Sequence, residues 1–147
     1  VGGKMTLKTD AMPENVPRIL LVEDDEFMSS LITFLLERQQ MQVIAVTDGR
    51  AAMQIMDGPV DFDAVLLDLM LPQVAGMDVL AHMQAQSAWA DVPVLMVSAL
   101  DSGAQIARAL RAGAADYITK PFNPEELLAR LNRLLKASCH VAPGRQP

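Results

Sequence analysis

At 147 residues, with 51% hydrophobic and 20% charged side chains, the chain has the size and balance of one globular domain with room for a substantial core. Its 12 Lys plus Arg stand against 18 Asp plus Glu, a net charge of -6, so its mean field repels nucleic-acid phosphate and anionic lipid, and phosphate chemistry would first need a bound cation. No apolar run approaches the roughly 18 residues needed to span a bilayer, no signal-peptide pattern opens the chain, and the single cysteine, Cys139, excludes an internal disulfide, so a cytoplasmic setting fits.

Residues 1–17 carry Gly2-Gly3, Pro13 and Pro17 without sustained periodicity and read as a flexible lead, with Met5 a candidate native start. Ile19-Leu20-Leu21-Val22 is a short apolar strand that stops at the acids Glu23, Asp24 and Asp25. Phe27, Met28, Leu31, Ile32, Leu35 and Leu36 then recur at helical spacing. Gln42 to Thr47 is a β-branched strand, and Asp48-Gly49 turns the chain into a second helix through Met56. Ala64 to Leu67 is a strand ending at Asp68, and Val74 to Met83 is helical. Val94 to Val97 is a strand ending at Ser98, followed by a fourth helix that holds Ile106, Ala107, Leu110 and Arg111 and closes at Gly113. Asp116 to Thr119 is the last strand. Asn123-Pro124-Glu125-Glu126 then supplies a cap, a first-turn proline and acids against the dipole for a final helix with Leu127, Leu128, Leu131, Leu134 and Leu135 as its stripe. Residues 138–147 read as a tail or the start of a linker, which leaves 18–137 as the domain.

Five all-apolar or β-branched strands alternate with five helices. Strands of that kind are covered on both faces, so the sheet is expected to be parallel, and right-handed crossovers make it a doubly wound α/β fold of flavodoxin-like type with strand order 2-1-3-4-5.

In such folds the site lies beyond the C-terminal ends of the strands. The first strand ends in Glu23-Asp24-Asp25, the third in Asp68, the fourth in Ser98 and the fifth in Thr119-Lys120-Pro121, so carboxylates, a hydroxyl and an ammonium converge on one rim. Carboxylates crowded there repel one another unless a hard divalent cation joins them. Mg²⁺ takes oxygen ligands, with Asp24 and Asp68 as direct candidates, the backbone carbonyl near Met70 as a third, and Glu23 acting through water. Asp68 is the natural nucleophile towards phosphorus, Lys120 suits a phosphate oxygen, and Ser98 can donate to another. Taken singly, each has a blander reading: Asp25 as a helix cap, Ser98 as a turn residue, Lys120 as a solvated charge. Their coincidence at four strand ends favours the chemical reading.

With these residues in view, the chain resembles the response-regulator receiver family of two-component phosphorelay signalling over about residues 18–137. The resemblance is carried by Ile19-Leu-Leu-Val-Glu-Asp-Asp25, Asp68-Leu-Met-Leu-Pro72 with Gly76, Val97-Ser98-Ala99, and Tyr117-Ile-Thr-Lys120-Pro121-Phe122. It implies a CheY-like (βα)5 fold, the pocket acids at Glu23 and Asp24, the phosphoacceptor at Asp68, the switch hydroxyl at Ser98 and the phosphate-contacting lysine at Lys120. It further implies Tyr117 as the switch aromatic, which turns inward when the hydroxyl moves to the phosphate, and a cis Lys120-Pro121 bond. The donor would be a phosphohistidine on a sensor histidine kinase or phosphotransfer protein, the recipient a downstream output domain or protein. Such a chain is a signalling phosphoacceptor that catalyses only its own phosphorylation and dephosphorylation, without direct contact to nucleic acid or membrane.

Glu126-Leu-Leu-Ala-Arg130 resembles the last helix of winged-helix regulators, whose phosphorylated receivers pair through the fourth helix, fifth strand and fifth helix. A phosphorylation-dependent homodimer is the matching expectation, but Ala115 and Ile106 stand where those regulators usually carry an acid and a base. Met70 and Leu100, two residues after Asp68 and Ser98, are expected to flank the phosphoryl group, exclude water and make self-dephosphorylation slow. His82, His140 and the ten methionines read as ordinary, and Arg130, Arg133 and Lys136 as a solvated face. The competing readings are a flavin mononucleotide binder, a haloacid-dehalogenase-type phosphatase and a degenerate receiver serving as an interaction module. The first needs a glycine- and hydroxyl-rich loop after the first strand, and the second an acid at position 70.

Overall fold

Residues 16–139 are described by the computed structural model. Along them the elements are β1 (Arg18–Val22), α1 (Glu26–Glu37), β2 (Gln42–Val46), α2 (Gly49–Met56), β3 (Ala64–Leu67), α3 (Gly76–Gln84), β4 (Val94–Ser98), α4 (Gly103–Arg111), β5 (Asp116–Thr119) and α5 (Pro124–Cys139). The strands form one parallel sheet in the order β2-β1-β3-β4-β5, as their apolar runs lead one to expect.

Alternation along each strand divides the core into two layers. Ile19, Leu21, Ala64, Leu66, Leu95, Val97 and Ile118 face α1 and α5, where they meet Ile32, Leu36, Leu127, Leu131 and Leu134. Leu20, Val22, Val65, Leu67, Val94 and Met96 face the other way, onto α2, α3 and α4. That second layer contains Trp89, absent from the sequence reading, whose indole Nε1 donates to the Gly58 carbonyl at 2.9 Å and so buries its one polar atom with a partner.

The helix ends follow their side chains. Asp25 Oδ1 accepts from the backbone N–H groups of Phe27 and Met28 at 2.9 and 3.2 Å, Asp48 Oδ1 from Ala51 at 2.8 Å, Ser102 Oγ from Gln105 at 3.1 Å, and Asn123 Oδ1 from Glu125 at 2.8 Å. Gly113, with φ 118°, ends α4 in a conformation that suits glycine. One boundary departs from the periodicity: the helix expected from Val74 begins at Gly76. Gln73 takes a positive φ of 68° and the Val74 N–H donates to the Pro72 carbonyl at 2.7 Å, so a tight turn uses residues whose spacing looked helical.

At the N-terminal side, Val16 is buried and the Pro17 carbonyl accepts from Gln42 N–H at 2.8 Å, so the fold reaches into the end of the expected lead. At the other end α5 continues past residue 137 to Cys139. The rest of the lead, with Met5 and Pro13, and the tail from His140 onward lie outside the described residues. Among those described, no helix is long and apolar enough to cross a membrane.

Gly76 fixes how closely α3 approaches the end of β3. A Cβ there would lie 2.2 Å from the Asp68 carbonyl oxygen and 2.6 Å from Leu69 Cα, both backbone atoms that cannot swing aside. Gly76→Ala is therefore expected to cost about 1–3 kcal/mol of unfolding free energy, read from urea denaturation. Gly103→Ala, whose added Cβ meets nothing within 4 Å, is expected to gain about 0.5 kcal/mol instead.

Candidate functional site

The backbone ladder continues past the strand ends and sets the candidate site residues side by side. Glu23 N–H donates to the Val46 carbonyl at 3.1 Å, Asp68 N–H to the Val22 carbonyl at 3.2 Å, and Lys120 N–H to the Ser98 carbonyl at 2.9 Å. Each pocket residue is thus placed by the strand next to its own. The Lys120-Pro121 peptide bond is cis.

Lys120 Nζ donates to Glu23 Oε1 at 2.6 Å and to Asp68 Oδ2 at 2.9 Å. Asp68 Oδ1 accepts from the Met70 backbone N–H at 2.9 Å, and Glu23 Oε2 from the Asp25 N–H at 3.2 Å. Both acids are buried, at 2% and 5% exposure, and Ser98 is fully buried. Among the described residues no buried side-chain nitrogen or oxygen lacks a hydrogen-bond partner. Unpaired groups at that depth would each cost about 1–3 kcal/mol.

The charge balance is incomplete all the same. Burial works against the Lys120 ammonium, but its hydrogen bonds to Glu23 and Asp68 outweigh that, and its pKa lies above the usual lysine value. Glu23 is raised above the usual carboxyl value, chiefly by burial, with Lys120 only partly opposing the effect. The two directions are compatible, because one ammonium sees two acids while each acid must share one ammonium. Asp24, exposed, brings a third carboxylate. One oxygen from each of Glu23, Asp24 and Asp68 falls within a group no more than 4.8 Å across. An all-oxygen, anion-rich cluster of that size fits a hard divalent cation.

Ser98 and Tyr117, the expected switch residues, meet through the backbone of Leu100. Ser98 Oγ accepts from the Leu100 N–H at 3.3 Å, and the Tyr117 hydroxyl donates to the Leu100 carbonyl at 2.5 Å. Tyr117 is already buried, and burial raises its pKa above the usual phenol value while the Ser98 hydroxyl works the other way. The Leu100 side chain packs against the layer under α2, α3 and α4, whereas Met70 stands 55% exposed. Of the two residues expected to flank the phosphoryl group, Met70 therefore presents the more open side chain.

Elsewhere, Arg130 Nη1 reaches both Asp116 oxygens, at 3.1 and 3.0 Å, and Arg133 Nη2 reaches Asp116 Oδ2 at 2.6 Å. The solvated face of α5 is thus ion-paired to β5, a link that periodicity does not reveal. His82 pairs with Asp57 at 2.7 Å at the C-terminal ends of α3 and α2, away from the pocket at the C-terminal ends of the strands.

A parallel 2-1-3-4-5 sheet with acids, hydroxyl and lysine at its strand ends defines a receiver. The chain belongs to that family: the sequence model of the response regulator receiver domain matches residues 19–132. It is 42% identical over 118 residues to the sensory transduction protein RegX3 of Mycobacterium tuberculosis, covering 80% of this chain and 50% of that one. It is 37% identical over 119 residues to the phosphate regulon transcriptional regulatory protein PhoB of Escherichia coli, covering 81% and 52%. The chain spans about half the length of these relatives. Among solved structures it is similar to the receiver domain of the sensor histidine kinase PA1611 from Pseudomonas aeruginosa, which has a magnesium ion coordinated in its active-site cleft. That likeness has a TM-score of 0.76 and 30% identity, over 82% of this chain and 98% of the other.

Removing the shared ammonium tests the electrostatics directly. Lys120→Met, measured in EDTA by urea denaturation, is expected to cost about 2 kcal/mol, below the range for a fully buried pair because the pocket is open on one side. Adding Glu23→Gln to that variant should recover part of the loss; a strictly additive double variant would show that the two groups do not interact.

Proposed function

We propose that the chain accepts a phosphoryl group on Asp68 from a phosphohistidine of a sensor kinase or phosphotransfer protein. The observation that carries this reading is Asp68 itself, buried at a strand end, with one oxygen held by Lys120 and the other by the Met70 N–H. Glu23, Asp24, Asp68 and the Met70 backbone carbonyl would hold Mg²⁺, which when bound offsets the charge of the carboxylates and of the incoming phosphoryl oxygens.

An Asp68 oxygen attacks phosphorus in line, an O–P bond forms, and the donor's P–N bond breaks with its electron pair going to the imidazole nitrogen. Lys120, already at Asp68 Oδ2, is in reach of a phosphoryl oxygen. Ser98 Oγ, released from the Leu100 N–H, donates to another. The chain then catalyses only its own phosphorylation and its own slow hydrolysis, in the cytoplasm where such kinases act. Its signal passes to an output domain or protein, and a phosphorylation-dependent homodimer would pair two receivers through α4, β5 and α5.

Acetyl phosphate in place of a kinase separates acceptor from partner. Wild type with Mg²⁺ should gain one phosphoryl group by intact mass, while Asp68→Ala, or wild type in EDTA, should gain none. A folded wild type that binds Mg²⁺ and takes no phosphoryl group from acetyl phosphate or from any phosphohistidine donor would leave only an interaction module. A second expectation concerns lifetime: the exposed thioether of Met70 cannot orient water, so Met70→Asn should leave the aspartyl phosphate no longer-lived than wild type and up to about tenfold shorter-lived.

A further inference from the structure

Met70 is the one exposed methionine among the described residues. Met28, Met53 and Met77 are half-buried, and Met41, Met56, Met83 and Met96 are buried. Fully burying a methionine contributes about 1.5–3 kcal/mol, most of which is forgone at 55% exposure, so packing does not account for this side chain. Its backbone N–H is bound to Asp68 Oδ1 at 2.9 Å, so this exposed residue borders the acceptor pocket. Methionine also has a reversible chemistry that other apolar residues lack.

We infer that Met70 is a site of reversible oxidation by peroxide, and that its oxidation shortens the life of the phosphoryl group on Asp68. The inference rests on the phosphoacceptor reading of Asp68. In the oxidation, the Met70 sulfur attacks one peroxide oxygen: an S–O bond forms, the O–O bond breaks, and the departing hydroxide takes the proton left on the new S–O oxygen and leaves as water. Sulfur is oxidised by two electrons and the peroxide is reduced by two. The sulfoxide is a strong hydrogen-bond acceptor where the thioether is a weak one. At the edge of the pocket, an acceptor can hold the water that attacks phosphorus opposite the Asp68 oxygen, a task the thioether cannot perform. Two thiols reverse the change, supplying two electrons and two protons, becoming a disulfide and releasing the oxygen as water.

The full chain, treated with graded hydrogen peroxide, is digested and weighed to locate the added oxygen. It is then phosphorylated with acetyl phosphate and Mg²⁺, freed of donor, and followed by intact mass for loss of the phosphoryl group. The Met70 peptide should gain oxygen before those carrying Met41, Met56, Met83 or Met96. The half-life should fall roughly threefold to tenfold, the range that one added hydrogen bond to the attacking water contributes. Met70→Leu should have the same half-life with and without peroxide, and Met70→Gln should reproduce the short half-life without it. Methionine sulfoxide reductase with a dithiol should restore the oxidised wild type, which unfolding damage would not allow. Oxidation of the buried methionines first, an unchanged half-life with Met70 fully oxidised, or equal shortening in Met70→Leu overturns the inference and leaves Asp68 as the acceptor. Absence of any phosphoryl adduct on the untreated protein overturns the phosphoacceptor reading itself.

Discussion

Lys120 Nζ lies between two buried carboxylates, 2.6 Å from Glu23 and 2.9 Å from Asp68, and much of the molecule is arranged to keep it there. Coulomb repulsion between Glu23 and Asp68 is severe at that depth unless a positive charge sits between them. Glu23 comes from β1, Asp68 from β3 and Lys120 from just after β5, so the triad can assemble only if the sheet has the strand order that brings those ends together. The parallel pairing, the two apolar layers that enforce it and the close approach of α3 at Gly76 are all conditions for this one contact. Conversely, the contact leaves the pocket short of positive charge once Asp24 is counted.

Much of this was legible in the residues, for identifiable reasons. Runs such as Ile19 to Val22 and Ala64 to Leu67 are apolar at every position, which only a sheet covered on both faces accommodates, and each is followed at once by the acid it positions. Asp25 and Asn123 announced their helices because a cap acts within three residues of itself, whereas Asp48, read as a turn, proves to be a cap as well. What escaped depends on longer range or on backbone. The start of α3 was set too early because the turn at Gln73 depends on φ, which spacing does not encode. Arg130 and Arg133 looked merely solvated because their partner, Asp116, lies on a strand they reach only after folding. Trp89 sits in a connecting segment, and its hydrogen bond to Gly58 spans a distance in sequence that no local pattern covers.

Leu100 shows the same limit more sharply. Read by its side chain, it was expected to flank the phosphoryl group; the structure packs that side chain, partly buried, against the core and engages its backbone at both ends. Met70 is the more exposed of the two, and its own backbone N–H engages Asp68. Spacing singled out both positions, but how open each side chain is depends on packing around the β4–α4 and β3–α3 connections.

The double engagement of Leu100 also bears on how the proposed change at Asp68 would be relayed. Ser98 and Tyr117 hold opposite ends of one residue's backbone, its N–H and its carbonyl, so they are linked in series like two hands on a short rod. Were Ser98 to let go of its end on the proposed phosphorylation, the rod would be free to pivot, and the aromatic at the far end would be the next part to feel it. Such a linkage would be blind to the side chain it runs through, and Leu100 could stay packed on the layer under α2, α3 and α4 throughout.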